Sequence, residues 1–324
     1  MEIAPGIHRI TTPLGEGESA RRCDLYLLAG QDRSILFDSG IDGTIPRYVL
    51  PYLAEHNLDP ASVELVVASH CDVDHFGGLA DSQQAFKRAQ LVAHPADAGL
   101  IADFATYKAG RGNPFEAIYG LAELPATQEW QRAVTRSAPP NKLVLGGEQA
   151  SLGGRTVEFQ HLPGHTLGHL ALWDAANAAL ILADAVLGAA VPTASGEPAF
   201  PPTYRHVVPY LETIARIQAL RPDILATAHY GVYEGSAVVS FLAESQAFVL
   251  DLGWRLETAL RAGGPGGTTL PELIAELNPR IGDWPKAQSA TALAFPVVGH
   301  IEDLATKGRL LIDLAVQPAQ LKWL

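Results

Sequence analysis

The stretch SHCDVDHFGGL, at residues 69–79, places two histidines and two aspartates within six positions directly after an apolar run. Side chains two positions apart in an extended loop project to the same side, so His70 and Asp72 can bind one ion. Asp74 and His75 then face a second position. Because crowded carboxylates repel one another and raise each other's pKa, the cluster makes chemical sense if cations hold it together. The stretch therefore predicts a metal centre at the end of a buried strand.

The segments around this stretch predict a fold that opens with β-strands. Short apolar runs separated by turn residues over 3–37 predict an antiparallel meander, and residues 64–69 predict a buried strand. A helical pattern at 77–89 and a further apolar run at 90–95 then predict a strand-helix-strand unit with parallel pairing. The glycine pair that begins this helix allows a sharp turn without a Cβ clash.

The rest of the chain predicts an insertion, a hairpin and a helical end. Residues 96–141 lack strand patterning, so we expect a mostly helical insertion of the kind that often shapes a substrate pocket. A hairpin is expected around 174–177, followed by a helix and a strand ending at His229. Beyond residue 235 the pattern is helical to the end. We therefore expect a catalytic domain over 1–235 and a helical C-terminal subdomain over 236–324.

Composition and charge narrow the class of protein. With 48% hydrophobic and 18% charged residues in 324 positions, the chain is typical of a globular protein with a large core. A net charge of −12 argues against nucleic acid as a partner, because phosphate-binding surfaces need clustered lysine and arginine. Two cysteines give no disulfide framework, and no apolar run reaches the ~18 residues of a membrane span. A soluble, cytoplasmic protein without a membrane partner is the expectation.

Histidines and aspartates recur at the ends of several predicted strands. Strands that end at one edge of a sheet bring their loops together, so side chains distant in sequence can meet in one cavity. The residues at such positions come from four segments: His70, Asp72, Asp74, His75, His165, Asp184 and His229.

The order of these motifs resembles the metallo-β-lactamase superfamily of metal-dependent hydrolases. The resemblance covers about residues 3–233 and rests on five landmarks: DSG at 38–40, the loop from His70 to His75, PGHTLGH at 163–169, Asp184 in ILADAV, and His229. It implies the α+β class and an αββα sandwich with two metals at one sheet edge. The C-terminal region weakly resembles a winged-helix-like tail found on some members.

The resemblance also implies a role for each site residue. The first metal position would use His70, Asp72 and His165. The second would use Asp74, His75 and His229, with Asp184 bridging both ions. Asp38 would orient a ligand rather than bind metal itself.

One position departs from the pattern of the family. Asp72 stands where most members have a second histidine, and a carboxylate makes that site harder and more anionic. Two divalent ions are expected, with zinc as the first choice and iron or manganese as the alternatives that Asp72 allows.

The expected chemistry is hydrolysis by a metal-bridging hydroxide. Asp74 would orient the hydroxide and relay a proton, and Tyr230 would polarise a substrate oxygen. The leading hypothesis is a hydrolase of an ester-type bond in a small molecule: a lactone, a thioester or a carboxylic ester. The alternatives are a phosphodiesterase, a non-haem iron oxidoreductase acting on a thiol substrate, and a binding protein that kept the fold. A homodimer is the candidate assembly.

Four further side chains carry weaker signals. Cys71 is expected to be a buried small residue rather than a nucleophile, and His94 and His300 are expected to be structural. His169 either supports a ligand or contacts substrate, or it simply packs on the following strand.

Overall fold

The computed structural model describes residues 1–17, 20–264 and 266–324. Its first sheet has seven strands in chain order, antiparallel from β1 to β4 and parallel from β4 to β7. The strands are β1 (Glu2–Ala4), β2 (Ile7–Leu14), β3 (Arg21–Ala29), β4 (Ser34–Phe37), β5 (Val63–Val67), β6 (Gln90–Ala93) and β7 (Lys142–Leu143). The predicted meander and the parallel strand-helix-strand unit are confirmed.

A second sheet faces the first. The following strands in the chain are β8 (Gln149–Ser151), β9 (Thr156–His161), β10 (Leu170–Asp174), β11 (Ala179–Ala183), β12 (Val191–Pro192), β13 (Pro198–Phe200), β14 (Ile224–Thr227) and β15 (Val232–Glu234). The second sheet has the order β15-β14-β11-β10-β9-β8, and β12 and β13 form a separate hairpin. The predicted hairpin around residues 174–177 is the β10–β11 pair, whose register matches Asp174 with Ala179.

Helices cover the outer faces of both sheets. They are α1 (Leu50–Glu55), α2 (Val73–Phe76), α3 (Leu79–Ala85), α4 (Pro95–Ala102), α5 (Phe104–Tyr107), α6 (Glu116–Tyr119), α7 (Pro125–Ala133), α8 (Val207–Leu220), α9 (Ser236–Ala262), α10 (Leu270–Leu277) and α11 (Ala290–Thr306). A π-helical turn at Ile45–Val49 leads into α1, and another at Lys108–Gly112 follows α5. The run from α4 to α7 confirms the mostly helical insertion.

Two hydrophobic cores hold the layers together. The first joins both faces of the first sheet to the inner face of the second, where Phe159 and Leu172 point inward. The second core lies between the outer face of the second sheet and the helices from α8 onward, with Leu180 on the sheet and Leu252 on α9. This layering is the expected αββα sandwich, with the C-terminal helices packed on its second sheet.

The sequence pattern predicted helix up to the end of the C-terminal region, and this prediction was wrong. After α11 the chain forms the antiparallel hairpin β16 (Leu310–Asp313) and β17 (Gln320–Trp323). Each strand has four residues, too few to give a periodic pattern, and the pairing itself supplies the hydrogen bonds that local sequence does not reveal.

Helix α9 is the longest helix of the C-terminal region. By length and mean hydropathy, 1.2 over an 18-residue window, it could cross a membrane, although a third of that window is buried. A core helix can meet the same criterion. Its buried residues include Val238, Leu242, Ser245, Val249 and Leu252, a spacing of three or four that places one face on the second core.

Arg155, just before β9, joins the two sheets at their edge. Its guanidinium donates hydrogen bonds to the carbonyl oxygens of Pro5 and Gly6, in the turn between β1 and β2, and of Ala29 in β3. It also lies 3.1 Å from Oδ2 of Asp174 in β10, whose side chain is fully buried. The arginine therefore neutralises a buried carboxylate and satisfies backbone acceptors of the facing sheet.

Replacing Arg155 tests this link between the sheets. We expect Arg155→Met to lower the free energy of unfolding by about 3–5 kcal/mol, because it leaves Asp174 buried without its cation. The matched control is Arg33→Met, which removes an arginine that is 49% exposed and should change the free energy by less than about 1 kcal/mol. Urea denaturation followed by circular dichroism measures both. Equal effects of the two substitutions would contradict the assignment.

Candidate metal centre

The predicted site residues follow strands that end at one edge of the sandwich. His70 and Asp72 lie in the loop after β5, and α2 carries Asp74 and His75. His165 lies in the β9–β10 loop, and Asp184 and His229 come just after β11 and β14, which pair in parallel. Parallel strands end at the same edge, so these loops meet there, as the sequence indicated.

The structure brings all seven side chains together in overlapping groups. Ligand atoms lie within 4.8 Å of one another in three sets: His70, Asp72 and His165; Asp74, His75 and His229; and His70, His75 and Asp184. In the first set, Asp72 Oδ2 lies 3.0 Å from His165 Nε2 and 3.5 Å from His70 Nε2. Asp184 Oδ2 lies 3.6 Å from His75 Nε2 and 3.1 Å from His229 Nε2, which is 3.7 Å from Asp74 Oδ2.

Hydrogen bonds on the far side of two of the rings, His75 and His229, fix their tautomers. His75 Nδ1 lies 2.8 Å from Asp38 Oδ2, and His229 Nδ1 lies 2.7 Å from the carbonyl oxygen of Arg22. Carboxylate and carbonyl oxygens only accept, so both Nδ1 atoms donate. In the neutral rings, Nε2 then carries a lone pair directed at Asp184. A metal-binding histidine is held in the same way.

Some of the buried polar atoms of this centre make no hydrogen bond with the rest of the described protein. Among the described residues, His70 Nε2, His75 Nε2 and Asp184 Oδ1 are buried without a hydrogen-bond partner. Such groups are costly unless something pairs with them. A divalent cation bound by His75 Nε2 and Asp184 would satisfy two of these atoms, and His70 offers a ligand atom within 4.8 Å of theirs, so the donor set fits a metal ion.

The pKa shifts of Asp184 and His229 also fit a centre that holds positive charge. Burial alone would raise the pKa of Asp184, but the charges of His229 and His75 outweigh it and hold that pKa well below its usual range. Burial would lower the pKa of His229, and the Asp184 carboxylate overcomes this and raises it. Protons on the imidazoles are therefore the alternative to a metal, and the two compete for the same nitrogen atoms.

Asp38 occupies the position expected of an orienting residue. It is 1% exposed, and besides His75 it accepts from the backbone nitrogen and the hydroxyl of Ser69, at 2.8 and 2.9 Å. The same hydroxyl lies 2.9 Å from His70 Nδ1. Asp38 thus holds His75 directly and His70 through Ser69.

Asp97 is a supporting residue that the sequence analysis did not identify. Its carboxylate accepts from the Cys71 backbone, the Thr166 hydroxyl and the Gly168 backbone, at 3.2, 2.6 and 2.9 Å. It therefore ties the loop that carries His70 to the loop that carries His165. Aspartate in the first turn of a helix is common, so no local signal distinguishes it.

Arg111 is the second residue that sequence reasoning missed. Its Nε and Nη2 donate to the two oxygens of Asp72, at 2.6 and 2.7 Å, and Nη2 lies 3.2 Å from His165 Nε2. Burial alone would raise the pKa of Asp72, but Arg111 outweighs it and holds the pKa well below its usual range. Burial and then the Arg111 charge lower the pKa of His165 to about 4. Its isolated position in the insertion gave no motif to detect.

Tyr230 does not reach the position expected of it. Its hydroxyl accepts a hydrogen bond of 2.8 Å from the Gly188 backbone, and its ring packs on Phe241. Tyr230 is absent from the described residues that line the cavity over the centre. The backbone contact directs the hydroxyl towards the loop after β11, so its placement supports a structural role.

His94, His169, His300 and Cys71 are packed side chains. His169 stacks on His70 with ring centroids 4.7 Å apart, and burial, then His70 and His165, hold its pKa well below the usual range. His300 lies 2.9 Å from the Tyr204 hydroxyl inside the protein, and His94 caps α4. Cys71 is 1% exposed, as expected of a buried small residue.

A cavity of about 570 Å³ opens above the centre. Its floor contains Asp72, Asp74, Asp184 and His229, and its walls combine aromatic and aliphatic side chains with polar ones. The insertion and the C-terminal region both contribute to the walls, through residues that include Tyr107, Trp130, Pro285, Ala292 and Phe295. The insertion therefore lies where a substrate pocket was expected, and the C-terminal region lines the same cavity.

Comparison with known proteins identifies a family. The profile described as the metallo-beta-lactamase superfamily matches residues 19–229. The acyl-coenzyme A thioesterase MBLAC2 of Gallus gallus is 29% identical over 192 residues, which cover 54% of this chain and 64% of that protein. The match thus spans less than two thirds of the relative's length.

Solved structures that match include two with a similar fold over the whole of this chain. The metallo-beta-lactamase family protein TTHA1429 from Thermus thermophilus has a TM-score of 0.74 and 20% identity, and the match covers all of both chains. A beta-lactamase domain protein from Burkholderia ambifaria has the same TM-score and identity and covers 100% of this chain and 93% of that one. At such identities the likeness shows the fold alone. The family profile covers well over half of the chain, which belongs to the metallo-β-lactamase superfamily.

Proposed function

We propose that the chain is a metal-dependent hydrolase of a thioester in a small molecule. The observation that carries the proposal is the convergence of two imidazole lone pairs, on His75 and His229, with the carboxylates of Asp74 and Asp184. The named activity of the thioesterase relatives supports a thioester over the lactone and carboxylic ester that the sequence equally allowed.

The proposed metal is a zinc ion held by His75, His229, Asp74 and Asp184. Imidazole nitrogen and carboxylate oxygen are ligands that zinc accepts, and iron or manganese would accept them too. When bound, such an ion supplies Lewis-acid activation of water and of a carbonyl group. The two-ion prediction needs a second ion beside Asp72, where the Arg111 guanidinium already lies.

Asp74 is the proposed group for handling protons. It lines the cavity, and its side chain is 13% exposed, against 7% for Asp184 and 3% for His229. Of these three groups it is therefore the best placed to orient a water molecule and to accept its proton. This keeps the role that the sequence suggested for Asp74, while Tyr230 has no part in it.

The cavity suits an acyl group better than a phosphodiester. Apolar walls offered by Trp130, Phe200 and Phe295 would cover a hydrocarbon chain while its carbonyl rests at the centre. Among the described residues, Arg21 and Arg111 are the arginines that line the cavity, and Arg111 is engaged with Asp72. The iron oxidoreductase alternative was based on Asp72 as a hard metal ligand. Because Asp72 is paired with Arg111, this argument for iron is weaker.

Asp38→Asn tests whether the centre is built to hold a metal. Asparagine tolerates the left-handed backbone at this position, where φ is 68°, but removes the charge that orients His75. We expect zinc affinity to fall by about 10–100-fold with the fold intact. Competition with a fluorescent chelator measures the affinity. The exposed Asp251→Asn is the matched control, and an equal effect of both changes would refute the role of Asp38.

The activity is tested by release of free thiol from acyl-coenzyme A substrates. With zinc-loaded protein we expect turnover that falls more than about 100-fold in Asp184→Asn, because losing a proposed ligand should exceed the effect of losing a supporting residue. Asp251→Asn should retain activity. A parallel panel offers a lactone, an aryl ester and a phosphodiester with zinc, manganese or iron. Cleavage of the phosphodiester without cleavage of any thioester would contradict the proposal.

A further inference from the structure

Arg111 lies at the first metal position, where hydrogen bonds and ring packing hold its guanidinium in place. The residue is 6% exposed. Both oxygens of Asp72 accept from it, Nη1 lies 3.4 Å from the His165 carbonyl oxygen, and the Phe295 ring covers the guanidinium at 4.3 Å. A paired, stacked and buried guanidinium of this kind is a fixed part of the site.

The local backbone conformation places the Arg111 side chain at the first metal position. Arg111 belongs to the π-helical turn Lys108–Gly112 in the insertion, between two glycines. A Cβ on Gly112 would approach Tyr107 Cε1 to 2.9 Å and Gln131 Oε1 to 3.0 Å. A Cβ on Gly110 would approach Leu100 Cδ2 to 2.7 Å. The turn therefore packs closely against Tyr107 at Gly112, while at Gly110 the nearest atom is the end of a leucine side chain, and Phe295 of α11 contacts the guanidinium.

The guanidinium uses the atoms that a first metal ion would need. An ion at this position would bind Asp72 Oδ2 and His165 Nε2 at about 2.0–2.2 Å. Arg111 Nη2 lies 2.7 Å from the first of these atoms and 3.2 Å from the second. A divalent ion added here would compete with the Arg111 guanidinium for the lone pairs of Asp72 Oδ2 and His165 Nε2. The ion and the guanidinium would also repel each other strongly, because little water is present to screen their charges.

Resting on the proposed function, we propose that Arg111 is the resident cation of the first metal position, so the protein binds one divalent ion per chain instead of two. The ion occupies the position formed by Asp74, His75, His229 and Asp184. His70 lies between the positions, with its Nε2 within 4.8 Å of the ligand atoms of His75 and Asp184. One of the site's three positive charges is then covalently part of the chain, and neither chelators nor changes in metal supply remove it.

Metal stoichiometry tests the proposal directly. The whole chain is stripped with a chelator, titrated with Co²⁺ or Zn²⁺, desalted and analysed by plasma mass spectrometry. We expect one equivalent in the natural protein and two in Arg111→Met, which keeps the aliphatic stem and removes the charge. Arg111→Lys should stay at one equivalent because it keeps a cation beside Asp72. Arg132→Met, an exposed arginine of α7, is the control and should also stay at one.

The possible outcomes separate this inference from the proposed function. Two equivalents in the natural protein would overturn the inference and leave the metal-dependent hydrolase standing. Zero equivalents would overturn both. One equivalent in both the natural protein and Arg111→Met would refute Arg111 as the group that excludes the second ion.

A spectroscopic measurement covers the case in which Arg111→Met does not fold. Electron paramagnetic resonance of the natural protein loaded with Mn²⁺ should show isolated ions at every loading. Spin-coupled pairs at high loading would overturn the inference without any variant.

Discussion

The site depends on the need to balance negative charge at a buried sheet edge. Asp38, Asp72, Asp74 and Asp184 all lie where parallel strands end, and water reaches none of them freely. Carboxylates this close would raise one another's pKa and destabilise the fold unless positive groups lie among them. The chain supplies some of that charge itself, through Arg111 on Asp72, and leaves the position around Asp184 for a cation or for protons on His75 and His229.

The sequence predicted the parts of the site that chain connectivity determines. Strand ends can be read from apolar runs, so the groups that follow β5, β11 and β14 could be assigned to one sheet edge. Asp38 was predicted to orient a ligand from its place in the motif order, and its carboxylate lies 2.8 Å from His75 Nδ1. The metal-binding roles of the groups that follow β5, β11 and β14 stay predictions.

The parts that could not be predicted depend on contacts between distant segments. Arg111 lies 39 positions from Asp72, in a π-helical turn that has no sequence signature, and Asp97 lies 71 positions from Gly168. Tyr230 follows His229 directly, yet its hydroxyl contacts the backbone of Gly188. The hairpin of β16 and β17 escaped notice because its strands are stabilised by each other and by α11 rather than by their own pattern. The expected cytoplasmic location and homodimer also stay predictions.

The insertion and the C-terminal region act together on one side of the site. The insertion carries Arg111 and Trp130, and α11 contributes Phe295, which stacks on the guanidinium and forms part of the cavity wall. A change in either segment should therefore alter both charge balance and substrate fit. This coupling gives a physical reason for the fold to extend beyond the sandwich.

Anomalous diffraction at the zinc absorption edge, from crystals of the zinc-loaded protein, tests the charge balance most directly. The account predicts a single peak among His75, His229, Asp74 and Asp184, with the Arg111 guanidinium still bound to Asp72. A second peak between Asp72 and His165 with the guanidinium displaced, or no peak at the centre, would contradict it.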